Sequence, residues 1–247
     1  MNRPATSQGR LSSHIPTRRI ATEALVGFLV RHLEDFPSWR GTRPDQNEDY
    51  YNQRIERLLN VRARQHMDVF QFSRETIHET PGRHDLGVFP AHEEGIAVRG
   101  RAFGPEEPVY TVECKRLPQP HNRRREYLTS EKDEKPRGAV QRYKIGIHGA
   151  GLDAAGIIAY VQKGDLESWR LNINTWVKEL IAKPVDDARW TEDDCLKPHP
   201  KFKTRGKVLV SHSVSSRVRG RSIGLTHFTV DLRASSQRQL EFPQEEN

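Results

Sequence analysis

The chain has 247 residues, 34% hydrophobic and 30% charged, enough apolar material for one generous domain with polar arms. Lys plus Arg exceed Asp plus Glu by 40 − 33 = 7, and a pI near 9.5 suits an acidic partner such as nucleic acid. No apolar run approaches the roughly 20 residues of a membrane span, and the polar, Arg-bearing N-terminus lacks a signal-peptide apolar region, so a cytoplasmic protein without membrane contact is expected. Cys114 and Cys195 form no CxxC pair and read as reduced, structural residues. The eleven histidines show no HxxH or HExxH spacing, which argues against a zinc enzyme.

In chain order, residues 1–16 are polar with Pro, Ser and Arg and read as a disordered arm. Thr17 is placed to cap a helix running to Asp35, because Ile20, Ala24, Leu25, Phe28, Leu29 and Leu33 form one apolar stripe. Pro37-Ser38 and the segment Gly41 to Pro44 break the chain before a second helix over Asn47 to Asn60. An apolar run headed by Asp85 follows, then a long Gly-, Glu- and Pro-rich loop from Ala91 to Pro108 and a strand over Tyr110 to Leu117. Pro118 to Gly138 is a mixed-charge excursion containing Arg123-Arg124-Arg125, readable as a solvated loop or as phosphate-contacting.

A helix from Gly138 to about His148 ends at Gly146-Ile147-His148-Gly149, where glycine permits positive φ. That stretch follows a helix and precedes a strand, the wrong context for a phosphate-cradling glycine loop. Ala154 to Val161 is nearly all apolar, as a strand covered on both faces would be. Asp165 then caps a helix with Leu166, Trp169, Ile173, Trp176, Val177 and Leu180 at helical spacing. Residues 182–206 are irregular and polar, before a hairpin of Lys207 to Val214 and Ile223 to Leu232 turning at Gly220. The domain is expected to span 17–233, with a polar tail over 234–247.

The chemistry is concentrated in Tyr110-Thr111-Val112-Glu113-Cys114-Lys115-Arg116-Leu117. In a strand alternate side chains share a face, so Glu113 and Lys115 stand side by side while Val112 and Cys114 point the other way. An ordinary half-exposed strand also alternates in this way. Asp85 adds information, since Asp is disfavoured inside strands yet heads the run Leu86-Gly87-Val88-Phe89. Two carboxylates and an ammonium on neighbouring strands would hold a hard divalent cation beside a water and a phosphate.

This pattern resembles the PD-(D/E)xK nuclease superfamily, whose order is a Glu-bearing helix, the Asp strand, the Glu-x-Lys strand, a helix and another strand. The resemblance covers the central half of the chain. It departs from the family at Arg83-His84, where a Pro commonly precedes the Asp. It implies an α/β restriction-endonuclease-like core with a mixed central sheet flanked by helices, here with an extra C-terminal β-hairpin. It also implies a Mg²⁺-dependent endonuclease, with Mn²⁺ able to substitute, acting on DNA and targeted by a homodimer or partner subunit as in bacterial defence or restriction systems. Asp85, Glu113 and the backbone carbonyl at Cys114 would hold the metal, and Lys115 would orient or deprotonate the attacking water. Gln141 would face the site, and Glu48 would complete the metal shell. Glu48 also reads as the N3 acid of a capping box begun by Asp45, in which case Glu56 is the alternative site acid. Val140, Tyr143 and Ile147 would pack inward, leaving Arg142 and Lys144 for the DNA backbone. Arg217, Arg219 and Arg221 at the late turn are candidate phosphate contacts, and His148 could be a site residue, though a lone His near a helix end is more often structural. The same fold without catalysis, as a nucleic-acid-binding or assembly subunit, is the alternative.

Overall fold

The computed structural model describes residues 19–74, 84–119, 125–130, 136–185 and 188–233. Thr17, both terminal segments and Arg123-Arg124 lie outside them. A short strand β1 (Arg19–Ile20) precedes α1 (Thr22–Asp35), which begins at Ala21 without a side-chain cap and buries Leu25, Phe28, Leu29 and Leu33. A 3-10 turn with Pro37 ends it. Helix α2 (Glu48–His66) is longer than its apolar spacing suggests and is capped by Asn47, whose Oδ1 accepts the Tyr50 N–H at 2.8 Å. Asp45 is therefore not the N-cap, and Glu48 stands at the first helical position with its carboxylate free of capping duty.

Strand β2 (Phe70–Ser73), which the sequence pattern does not foreshadow, pairs antiparallel with β3 (Leu86–Pro90). The expected long loop over 91–108 contains a hairpin, β4 (Ile96–Val98) and β5 (Arg101–Phe103). Its turn is Arg99-Gly100, both at positive φ (50° and 82°), the two-residue geometry whose twist matches paired strands. With β1 the hairpin forms a separate three-stranded sheet.

The main sheet continues with β6 (Tyr110–Leu117), helix α3 (Ala139–Ile145), β7 (Ala154–Val161), helix α4 (Leu166–Ala182), and strands β8 (Lys197–Pro198), β9 (Val208–Ser215) and β10 (Ile223–Asp231). Its order is β2-β3-β6-β7-β10-β9-β8, with parallel pairing at β6/β7 and β7/β10 and antiparallel pairing elsewhere. The late hairpin is thus not an appendage. β10 lies against β7 over eight register pairs and completes the sheet's parallel centre.

Helices cover both faces, and strand alternation sorts the core into two layers. Ile158 and Tyr160 of β7 pack with Leu29, Leu33, Tyr51 and Ile55 from α1 and α2. Ile157, Ala159 and Val161 pack with Val140, Tyr143, Ile173 and Val177 from α3 and α4. On β6 the same rule sends Val112 and Cys114 into the first layer and leaves Glu113 and Lys115 facing the second. No described helix is long and apolar enough to cross a membrane.

Candidate active site

The register of β3 on β6 builds the site. Leu86 pairs with Val112 and Val88 with Tyr110, so continuing the ladder by one position sets Asp85 opposite Glu113. The ladder stops there, and the Asp85 side chain takes over: its Oδ2 accepts the Cys114 N–H at 2.7 Å. Glu113 and Lys115 project from the same face of β6, with Lys115 Nζ 3.7 Å from Glu113 Oε2. Glu48, at the start of α2, accepts from the Arg116 N–H at 3.1 Å and lies 3.4 Å from Lys115 Nζ. One ammonium is therefore held between acids from α2 and β6, beside a third at the head of β3. Glu56, the alternative acid, is engaged elsewhere with Arg74.

From α3, Arg142 sets its guanidinium 3.2 Å from Glu113 Oε2, and His148 places Nδ1 against Glu113 Oε1. Burial would raise the Glu113 pKa, but His148, Lys115 and Arg142 outweigh it and hold the carboxyl at about 2. Asp85 goes the other way. Burial and then the charge of Glu113 push it well above the carboxylate range, against the pull of Lys115 and the Cys114 N–H. Burial also raises Glu48, opposed by Lys115 and the Arg116 N–H. Lys115 would be lowered by burial, yet Glu113, Glu48 and Asp85 together lift it above its ordinary value.

Several expected site residues lie elsewhere. Gln141 is buried with its side-chain oxygen accepting from Ser130 N–H and Oγ–H at 3.3 Å each and from Gly138 N–H at 3.4 Å, so that oxygen closes the turn before α3. Lys144 has no exposed surface: its Nζ sits 2.8 and 2.9 Å from the two Asp194 oxygens and 4.9 Å from the Trp190 ring centroid, so it is unavailable to DNA. Arg142 faces Glu113 rather than a duplex backbone. Arg217 donates to the carbonyls of Gly149 and Leu152 at 2.6 and 2.9 Å, which makes it a brace of the loop after α3. Arg219 and Arg221 are exposed. The Cys114 thiol is buried among apolar side chains, its pKa raised well above the ordinary value by burial; its backbone N–H is what touches the site.

His84 and His148 are site neighbours that local spacing did not reveal, since 148 − 84 = 64 positions separate them. Gly146, at φ 79°, stops α3 and lets the chain turn so that the His148 N–H reaches the Arg142 carbonyl at 3.2 Å and its ring enters the site. His84, buried, occupies the place where the resembled family carries Pro, its ring centroid 4.5 Å from that of His148.

Carboxylate oxygens are the donors a hard divalent cation takes; here three carboxylates, Glu48, Asp85 and Glu113, face Lys115 and Arg142, and burial is the largest cause of the raised Asp85 pKa. The three residues whose ligand atoms lie within 4.8 Å of one another are His84, Glu113 and His148. The chain matches no family model, no curated protein and no solved structure.

Proposed function

We propose that this chain is a metal-dependent phosphodiesterase with a restriction-endonuclease-like core, acting on nucleic acid, DNA foremost. One observation carries the reading: Asp85, Glu113 and Lys115 share one corner of the β3/β6 ladder, with Glu48 closing over them. Asp85 and Glu113 would hold a Mg²⁺ or Mn²⁺ ion, with Glu48 at the edge of its shell; when bound, such an ion polarises a phosphoryl oxygen and acidifies water. Lys115, fixed as a cation between Glu48 and Glu113, orients the attacking water and stabilises charge building on the phosphate. The water's proton would fall to a carboxylate outside the ion's direct grip, for which Glu48, 3.4 Å from Lys115 Nζ, is the candidate. Arg142 neutralises Glu113 and stands ready for the phosphate.

Excess positive charge supports an acidic substrate, with Arg219 and Arg221 as phosphate contacts at the tip of the β9–β10 hairpin. Targeting by a second copy or a partner subunit, in a cytoplasmic defence or restriction system, belongs to the same proposal. A catalytically silent binding subunit is the second reading, favoured by the occupation of both Glu113 oxygens by Arg142 and His148. The deciding experiment incubates the chain with supercoiled plasmid, linear DNA, single-stranded DNA and RNA under Mg²⁺, Mn²⁺ or EDTA. Metal-dependent cleavage lost in Asp85→Ala is the expected result; binding without cleavage under every metal leaves the silent reading.

A further inference from the structure

We infer that His84, Glu113 and His148 form a second cation position, selective for first-row transition ions of the Mn²⁺ to Zn²⁺ series over Mg²⁺. It rests on the proposed phosphodiesterase reading only in sharing Glu113. A ligand atom from each of the three residues lies within 4.8 Å of the others. Two protein ligands of one ion are at most about 4 Å apart, twice a metal–nitrogen bond of about 2.1 Å, so small torsional shifts close the set.

All three residues are buried, and each comes from a different part of the fold: the residue before Asp85, the centre of β6 and the turn after α3. The two oxygens of Glu113 are already sorted by their surroundings. Oε2 faces Lys115 at 3.7 Å and is the nearer of the two to Arg142, at 3.2 Å against 3.5 Å for Oε1, while Oε1 faces the His148 imidazole. An ion on the Oε1 side therefore leaves Lys115 on the opposite edge of the carboxylate, with Arg142 as its nearest cationic neighbour. Donor chemistry sets the selectivity. Mg²⁺ demands oxygen ligands at near-octahedral geometry, whereas imidazole suits Fe²⁺, Ni²⁺ and Zn²⁺, and Mn²⁺ stands lowest of the first-row series at such a site. Two imidazoles and one carboxylate leave open positions for water and a phosphate oxygen, and in a buried site such positions would be shared with a substrate held at Asp85 and Lys115.

The test measures binding on the intact chain, without requiring turnover. Mn²⁺ is titrated into the metal-stripped protein and free Mn²⁺ is followed by electron paramagnetic resonance, with Mg²⁺ and Zn²⁺ as competitors. Wild type should bind Mn²⁺ in a form that a large excess of Mg²⁺ does not displace and that Zn²⁺ does. His84→Gln and His148→Gln, each checked for native circular dichroism, should weaken that binding at least about tenfold, the scale on which losing a group that holds or orients a metal is felt. Asp85→Asn, which keeps the hydrogen bond to Cys114, should leave it within about twofold. Complete displacement by Mg²⁺ in wild type overturns the inference with no variant needed, and wild-type Mn²⁺ affinity in both histidine variants overturns it independently. Histidine-dependent Mn²⁺ binding without cleavage of any nucleic acid would uphold the site and remove the phosphodiesterase reading. Cleavage with Mg²⁺, together with histidine-independent Mn²⁺ binding, would do the reverse.

Discussion

Among the described residues two lysines, Lys144 and Lys115, are buried against acids, and they differ in how closely those acids hold them. Lys144 is received by Asp194 with both oxygens, and Asp194 Oδ2 and Oδ1 are further satisfied by the Thr191 N–H at 2.9 Å and Ser215 Oγ–H at 2.6 Å. The contacts are short, and an aromatic ring lies beside the ammonium. Lys115 meets Glu48 and Glu113 at 3.4 and 3.7 Å, with Asp85 as a third acid close enough to raise its pKa. The contacts are longer than those of Lys144, and Arg142 and His148 share Glu113 with Lys115. Burial alone does not distinguish the two clusters, because both lysines are buried; contact length and the number of acids around Lys115 do.

Removing a group from the Lys115 cluster should produce the largest effect. Asp85→Asn, Glu113→Gln and Lys115→Met are each expected to lower the cleavage rate on the order of 10²- to 10⁴-fold, read in single-turnover assays on plasmid. Lys115→Arg should fail as well, since a planar guanidinium does not reproduce a compact ammonium between two carboxylates. Full activity in any of the first three variants would show that the Lys115 cluster is merely another buried network.

Stability should rank the two clusters in the opposite order. Asp194→Asn removes the charge that holds the buried Lys144 ammonium with both oxygens and is expected to cost about 3–5 kcal/mol in urea unfolding. Asp85→Asn relieves a buried charge facing Glu113, so its unfolding free energy should stay level or rise. Equal destabilisation by both variants would erase the distinction.

A buried histidine away from both clusters provides a pH handle. His227 has no exposed surface, donates or accepts at Tyr127 Oη (2.7 Å) and Ser213 Oγ (2.9 Å), and burial lowers its pKa from 6.5 to about 3. Above pH 6.5 neither folded nor unfolded chain binds the proton; below it the unfolded chain does and the folded chain does not. Its contribution to stability should therefore be whole above pH 6.5 and fall by about 1.4 kcal/mol per pH unit toward pH 3. Unfolding curves of His227→Gln, compared with wild type between pH 7 and 4, should show a shallower decline. Parallel declines would mean that other groups govern acid sensitivity.

The smallest effect concerns the surface. Arg219→Gln with Arg221→Gln should reduce the slope of log affinity against log salt by up to about 1.8, at roughly 0.9 for each phosphate no longer neutralised, while leaving single-turnover cleavage at saturation intact. Arg217 is excluded from this test because its loss would unbrace the Gly149–Leu152 loop. An unchanged slope would move the nucleic-acid track away from the hairpin tip.

Local patterns made part of this legible. Period-two alternation placed Glu113 and Lys115 on one face of β6, and the apolar run of β7 marked a strand covered on both sides, as found. Glycine at Gly146 ended α3. The same logic failed where a short element is enclosed. Helix α3 buries Ala139, Val140, Gln141, Tyr143 and Lys144, so its polar side chains could not be assigned to solvent from spacing alone. The β4–β5 hairpin was hidden because its strands are three residues each, too short for alternation to rise above a Gly- and Pro-rich background.

The sequence by itself determined the strand faces, the helix stops and the presence of an Asp, a Glu-x-Lys and a helix-borne Glu in workable order, because these depend on backbone periodicities of two and 3.6 residues. Only the tertiary structure decided which of these groups meet. The β3/β6 register sets Asp85 opposite Glu113, and a slip of one residue would have turned them to different faces. The pairing of Lys144 with Asp194, 50 positions apart, and the meeting of His84 with His148 across the same carboxylate are likewise products of layer packing. Coulombic and hydrogen-bond partners of buried charges are chosen by distance in space, which a linear pattern does not encode.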